Sequence, residues 1–263
     1  GTPEIIAAAT KVKVVGGAGI GVDKVEIPAA SAHGVVGMNT PFGNSITTAE
    51  HAIAMIMALA RQIPEANART QAGEWPKSAF MGVEVTGKTL GLIGAGNIGS
   101  IVASRALGLR MKVVAFDPFL TQSRADQLKI ELAEPPDAAL TGADVVTLHV
   151  PLTDDTRHII NADRLALMNK GALVINCARG GLIDESALKT AIESGQIAGC
   201  ALDVYEDEPP SPEHPLFTLT KHVTFTPHLA PPPPEPHDNV GIQGAEVDFP
   251  IRRLRDVAVH IAA

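Results

Sequence analysis

Three polar side chains stand just past three successive apolar stretches: Arg179 in Asn176-Cys177-Ala178-Arg179-Gly180-Gly181, Glu208 in Asp203-Val204-Tyr205-Glu206-Asp207-Glu208, and His228 in Thr226-Pro227-His228. Together they could handle a 2-oxo or 2-hydroxy acid. A guanidinium grips a carboxylate bidentately and polarises the neighbouring carbonyl. An imidazole moves the hydroxyl proton, and a carboxylate beside it orients the ring and raises its pKa. Each residue alone also has an ordinary reading: a surface ion pair for Arg179, a solvated acidic loop for Glu208, a structural role for one histidine among nine. Their joint placement at strand ends, where parallel sheets bind ligands, favours chemistry.

A second constellation is Gly94-Ala95-Gly96-Asn97-Ile98-Gly99, which follows the apolar stretch 88–93 and opens a helix over 100–109. In this G-x-G-x-x-G pattern Gly94 permits a tight turn, Gly96 lets a pyrophosphate approach the backbone, and Gly99 lets helix pack on strand. The helix start offers N–H groups and the positive end of its dipole to phosphates. The next strand, 112–116, ends in Asp117. A carboxylate roughly 20 residues past such a turn accepts ribose hydroxyls and repels a 2′-phosphate. Asp117 could instead form a turn ahead of Pro118. Strand, turn, helix, strand and acid in this order point to NAD rather than NADP.

The elements that must position these residues alternate along the chain. Strands are expected at 11–15, 35–38, 88–93, 112–116, 145–150, 173–176, 199–204 and 222–225. Helices are expected at 1–9, 28–34, 45–63, 65–73 and 184–194, the last capped by Asp184 and the 45–63 helix ended by Pro64. Sustained alternation predicts an α/β fold with a doubly wound parallel sheet and right-handed crossovers. The few units within 1–40 cannot close a domain, so further elements are expected upstream. Ala230-Pro231-Pro232-Pro233-Pro234-Glu235-Pro236 can be neither helix nor central strand.

Composition narrows the class. The 263 residues carry a formal net charge of −8 and a pI near 5.6, which argues against a nucleic-acid partner. The most apolar run, 52–59, is far short of a membrane span. Cys177 and Cys200 are too few for a disulfide framework, so a reducing, cytoplasmic compartment is expected. No metal site is called for.

At these motifs the chain resembles the D-isomer-specific 2-hydroxyacid dehydrogenase family. The similarity runs from about Glu4 to Asn239. It includes Ala18-Gly19-Ile20-Gly21-Val22-Asp23, Asn39-Thr40-Pro41, Thr48-Ala49-Glu50, Gln71-Ala72-Gly73-Glu74-Trp75, the glycine turn, Asn176 to Gly181, Asp203-Val204-Tyr205 and Thr226-Pro227-His228-Leu229. The resemblance implies Arg179, Glu208 and His228 as the catalytic trio, with Asn97 and Ile98 at the pyrophosphate and Asp117 at the adenosine ribose. It also implies that Val150, Cys177 and Ala178 line the cofactor groove and that Asp203 meets the nicotinamide carboxamide. The reaction implied is hydride transfer between NAD and C2 of a small D-2-hydroxy or 2-oxo acid, 3-phosphoglycerate first. Hydroxypyruvate, glyoxylate or lactate are the alternatives, and a non-catalytic NAD-sensing binding module is another.

The domains implied are a partial, flavodoxin-like substrate domain at 1–40, an NAD domain at 41–229 and a segment at 230–263 returning to the first as helix or tail. The NAD domain would include an interdomain helix 45–63 and an arm near 64–87 that embraces a partner copy in a homodimer or homotetramer. Two departures stand out. Gly17 replaces an arginine that family members acting on the phosphorylated acid carry, a lost charge-assisted contact of about 1.5–3 kcal/mol. After Pro227-His228-Leu229 the family continues Gly-Ala-Ser-Thr-Thr, and codons for that stretch read one base later give Ala230 and four prolines. With the trio and glycine turn present but the substrate domain only partial, the chain is expected to bind NAD with little or no turnover.

Overall fold

The computed structural model describes residues 3–17, 25–39, 44–220, 222–229 and 259–262. The motif at Ala18 to Asp23 and the proline run from Ala230 lie outside these residues. The chain divides into two compact units, Gly1–Thr47 with Pro231–Ala263, and Thr48–Ala230. The division falls inside a helix, the second unit beginning at Thr48 where the NAD domain was expected to begin at 41.

In the first unit α1 (Pro3–Ala8), β1 (Val14–Gly17), α2 (Ile27–Ala32) and β2 (Val36–Asn39) follow one another. β1 and β2 run parallel, with Val14 opposite Val36. A small core of Ile6, Ala30 and Val35 joins the helices to the strands. The last described segment of the chain, Val259–Ala262, is a strand on the other side of β1, Val14 opposite Val259. These four residues form no helix: extended backbone completes the hydrogen bonding of an otherwise open edge of β1.

The second unit begins within α3 (Ser45–Ala60) and continues through α4 (Ile63–Gln71). Pro64 sits in the first turn of α4 and does not terminate the helix before it. A missing N–H costs nothing at that position, and Gln62 at φ 54° makes the break. Then come β3 (Thr89–Ile93), α5 (Asn97–Gly108), β4 (Lys112–Phe116), α6 (Gln122–Leu128), β5 (Glu131–Leu132), α7 (Pro136–Leu140) and β6 (Val145–Leu148). They are followed by α8 (Ala162–Leu167), β7 (Ala172–Asn176), α9 (Glu185–Glu193), β8 (Ile197–Leu202), a 3₁₀ turn (Pro215–Thr218) and β9 (Val223–Phe225). Asp184 caps α9 through the Ala187 N–H, as expected.

Seven parallel strands lie in the order β5-β4-β3-β6-β7-β8-β9. The winding reverses between β3 and β6, the switch point where open α/β sheets bind ligands. β6 and β7 are buried at every position, as strands covered on both faces must be. Period-two alternation divides the core. Leu90, Leu92, Val145, Leu173, Ile175 and Ala201 face Ala52, Ile56, Val102 and Ala106 of α3 and α5. Ile93, Val146, Leu148, Val174, Cys200 and Leu202 pack with α7, α8 and α9.

Candidate functional site

Two of the three glycines in the turn after β3 are dictated by the protein itself. Gly94 has φ 95°, and a Cβ there would lie 2.5 Å from the His149 carbonyl and 2.7 Å from Val150. A Cβ on Gly99 would meet the Gly94 carbonyl at 1.9 Å. Gly96 is different. It is exposed, has an ordinary φ of −68°, and a Cβ there would touch nothing within 4 Å. Nothing in the fold requires glycine at 96, which fits a cradle shaped for a group outside the chain. Gly96 is the N-cap of α5, no side chain caps it, and Asn97 beside it is also exposed. The first N–H groups of a helix so arranged are available to a phosphate.

Asp117 stands at the end of β4, next to this turn. One carboxylate oxygen accepts the Ala95 N–H at 2.8 Å and the other accepts the Phe119 N–H at 2.8 Å. Of its two expected roles the turn through Pro118 is seen, and the carboxylate also braces the glycine loop, each oxygen keeping a lone pair beyond these two bonds. Ile98, Val150 and Ala178 are half-buried around the strand ends and Cys177 is buried. Burial, reinforced by the negative charge of Asp203, pushes the Cys177 thiol well above its ordinary range. It is a packing group, not a nucleophile.

Arg179 rides on a braced turn. The Asn176 amide donates to the Arg179 carbonyl at 2.8 Å, while its own oxygen accepts the Ala178 N–H at 3.0 Å. Gly180 lies so close to the Tyr205 carbonyl that any Cβ would collide with it. The Arg179 guanidinium donates to the Ala178 carbonyl at 2.7 Å.

Glu208 and His228 are brought together. The Nδ1 of His228 lies 2.9 Å from Glu208 Oε2, and Glu208 Oε1 accepts the Tyr205 N–H at 3.2 Å. The loop carrying Glu208 rests on a floor of Tyr205, His214, Phe217 and Phe225, with ring centroids 5.0 Å apart for His214 and Phe217. Glu185 ties it down from α9, pairing with His214 at 2.8 Å and accepting the Glu206 N–H at 3.1 Å. Asp203 is fully buried at the end of β8. Burial would raise its carboxyl, but hydrogen bonds from His51, Thr226 and Leu229 outweigh that and hold it below the ordinary value of 3.8.

Sequence reasoning passed over His51, Thr147 and His149. Thr147 Oγ1 and His149 Nε2 lie 3.0 Å apart at the end of β6. The Nδ1 of His149 is buried without a hydrogen-bond partner among the described residues. Polar residues closing an apolar strand were the available signal. Among the described residues, no group of three potential metal ligands occurs and no helix is long and apolar enough to cross a membrane.

Comparison with known proteins decides the family. Residues 53–230 match the D-isomer specific 2-hydroxyacid dehydrogenase NAD binding domain. The chain belongs to this family. Its glycine turn and Asp117 therefore sit in an NAD-binding domain, and the residues present fit that cofactor. The chain is 47% identical over 92% of its length to a D-3-phosphoglycerate dehydrogenase of Archaeoglobus fulgidus, of which it covers 46%. It spans about half the length of the curated relatives it matches. A glyoxylate reductase from Paecilomyes thermophila superposes with a TM-score of 0.85 at 32% identity, covering 94% of this chain and 75% of that one. A D-lactate dehydrogenase from Aquifex aeolicus, complexed with NAD and lactic acid, gives 0.84 at 27% identity, with 97% and 81% covered.

Proposed function

We propose that the chain works as an NAD-dependent oxidoreductase acting at C2 of a D-2-hydroxy acid, with 3-phosphoglycerate as that acid. The observation carrying this reading is the Glu208–His228 pair at 2.9 Å, held where β8 and β9 end in the unit that bears the glycine turn. Relatives named as D-3-phosphoglycerate dehydrogenases, at 43–47% identity, support the choice of acid.

NAD, when bound, supplies the hydride acceptor for oxidation and, reduced, the donor for the reverse. The turn from Gly94 to Gly99, including Asn97 and Ile98, would hold its pyrophosphate and Asp117 its ribose, with Val150, Cys177 and Ala178 along the groove and Asp203 toward the carboxamide. Arg179 grips the substrate carboxylate and polarises the C2 oxygen. Glu208 fixes the His228 ring through Nδ1 and leaves Nε2 as the nitrogen that takes the hydroxyl proton in oxidation and returns it in reduction. The segment after α4 presents Trp75 and Met81, both 83% exposed, and a second copy of the chain is the partner proposed for it. Buried free thiols at Cys177 and Cys200 suit a reducing, cytoplasmic setting.

The test is NADH fluorescence titration followed by turnover with 3-phosphoglycerate and with glyoxylate, for the wild type and His228→Gln. The variant is expected to keep NADH affinity and lose about 10²–10⁴ in rate, the usual share of a general acid–base. Absence of NADH binding would refute the cofactor site, and undiminished turnover in the variant would refute the role of His228.

A further inference from the structure

His51, on α3, reaches the ends of β8 and β9. Its Nε2 lies 3.3 Å from Thr226 Oγ1 and 3.4 Å from Asp203 Oδ1. That same carboxylate oxygen accepts the Thr226 hydroxyl and, at 2.8 Å, the Leu229 N–H. The hydrogen count assigns the roles. Thr226 has one hydroxyl hydrogen and commits it to Asp203, so its oxygen can only accept from His51. The arrangement therefore selects the ring form with hydrogen on Nε2, which donates into the Thr226–Asp203 pair. All three groups are in the second unit, and His51 and Asp203 are buried to 17% and 0% side-chain exposure.

The two residues so tied, Thr226 and Leu229, flank Pro227 and His228. His228 itself has φ 57°, the left-handed region that residues with a Cβ seldom enter and that surroundings must enforce. The backbone of Thr226 has other anchors, its N–H to the Leu202 carbonyl and its carbonyl from the Tyr205 hydroxyl. Leu229, the far side of the turn, is held to the same Asp203 oxygen that His51 and Thr226 address. We propose that His51 is a positioning residue for His228. Through Thr226 and Asp203 it fixes the left-handed turn that keeps the His228 ring against Glu208. This rests on the dehydrogenase reading for its consequence in turnover, though not for its geometry.

The experiment compares the wild-type chain with His51→Leu, His51→Gln and Thr226→Val. The first readout is amide hydrogen exchange at Leu229. In His51→Leu and Thr226→Val that amide is expected to exchange at least about tenfold faster, as loss of a charge-assisted donor predicts. His51→Gln, which keeps a side-chain N–H, restores protection. The second readout is turnover, where kcat falls in His51→Leu with the KM for NADH unchanged and recovers in His51→Gln. Thr226→Val carries the test if His51→Leu does not fold. Unchanged Leu229 exchange in the variants overturns the proposal, as does an equal loss of kcat in the Leu and Gln variants. A wild-type chain that binds NADH yet oxidises or reduces neither acid refutes the dehydrogenase reading instead, and the Leu229 exchange still decides the network.

Discussion

Replacing Gly96 and Gly99 separately by alanine should split two properties that a glycine-rich turn normally confounds. At Gly99 the new Cβ would be placed 1.9 Å from the Gly94 carbonyl oxygen and 2.9 Å from its carbon. Helix α5 must then lift off β3, an overpacking cost of about 1–3 kcal/mol. For a unit the size of Thr48–Ala230, each kcal/mol lowers Tm by about 2–4 °C, so a drop of about 2–12 °C is expected. At Gly96 the Cβ enters open space with an ordinary φ. Alanine is a poorer N-cap by about 0.5–1 kcal/mol, and stiffening of the unfolded chain offsets this by about 0.4–1 kcal/mol. Gly96→Ala should therefore melt with the wild type. Its NADH affinity should nonetheless fall at least about tenfold, about 1.4 kcal/mol, because the methyl occupies the space a phosphate must enter. Thermal melts and NADH fluorescence titrations on the two variants make the comparison. Wild-type NADH affinity in Gly96→Ala would refute the argument that the cofactor, and not the fold, requires glycine at 96.

Stability should fall as pH drops from 6.5, through His149. Burial lowers His149 from 6.5 to about 4, so the unfolded chain takes up a proton first, and stability present above pH 6.5 is lost on the way down to about pH 4. At about 1.4 kcal/mol per pH unit the ceiling is about 3.5 kcal/mol. Urea midpoints at pH 7.5 and 4.5 check it, and His149→Gln should flatten the difference. The thiols should be inert in the folded chain. Burial raises Cys200 to about 12 and Cys177 further, so a disulfide reagent at pH 8 should label both only after denaturation. Labelling of native protein at the rate of a free thiol would contradict the buried placement.

The parts of the fold legible in advance were those with a local physical cause. β4 falls on 112–116, as its apolar run and flanking turn predict, and Asp184 caps α9 through its own side chain. Short elements such as α6, α7, α8 and β5 left no readable period, because five to seven residues span less than two helical turns and two residues make no alternation. Pro64 was misread because proline is silent about whether it follows a helix or begins the next. The left-handed Gln62 settles that, and its side chain is tied to the Met81 carbonyl, 19 residues further on.

The amino-acid sequence by itself determined the glycine turn, the acid after β4, the strand-to-loop positions of Arg179, Glu208 and His228, and through them the family. These are matters of spacing and of side-chain chemistry, and spacing survives without a structure. The tertiary structure decided which of these groups meet. Glu208 and His228 pair because β8 and β9 are neighbours in the sheet, and His51 reaches Thr226, 175 residues away, because α3 lies on the face where Ala201 and Asp203 point. The separate reasons for Gly94, Gly96 and Gly99 also appear only in three dimensions. Identical residues in one motif answer to different neighbours, and those neighbours are brought there by the order of the strands.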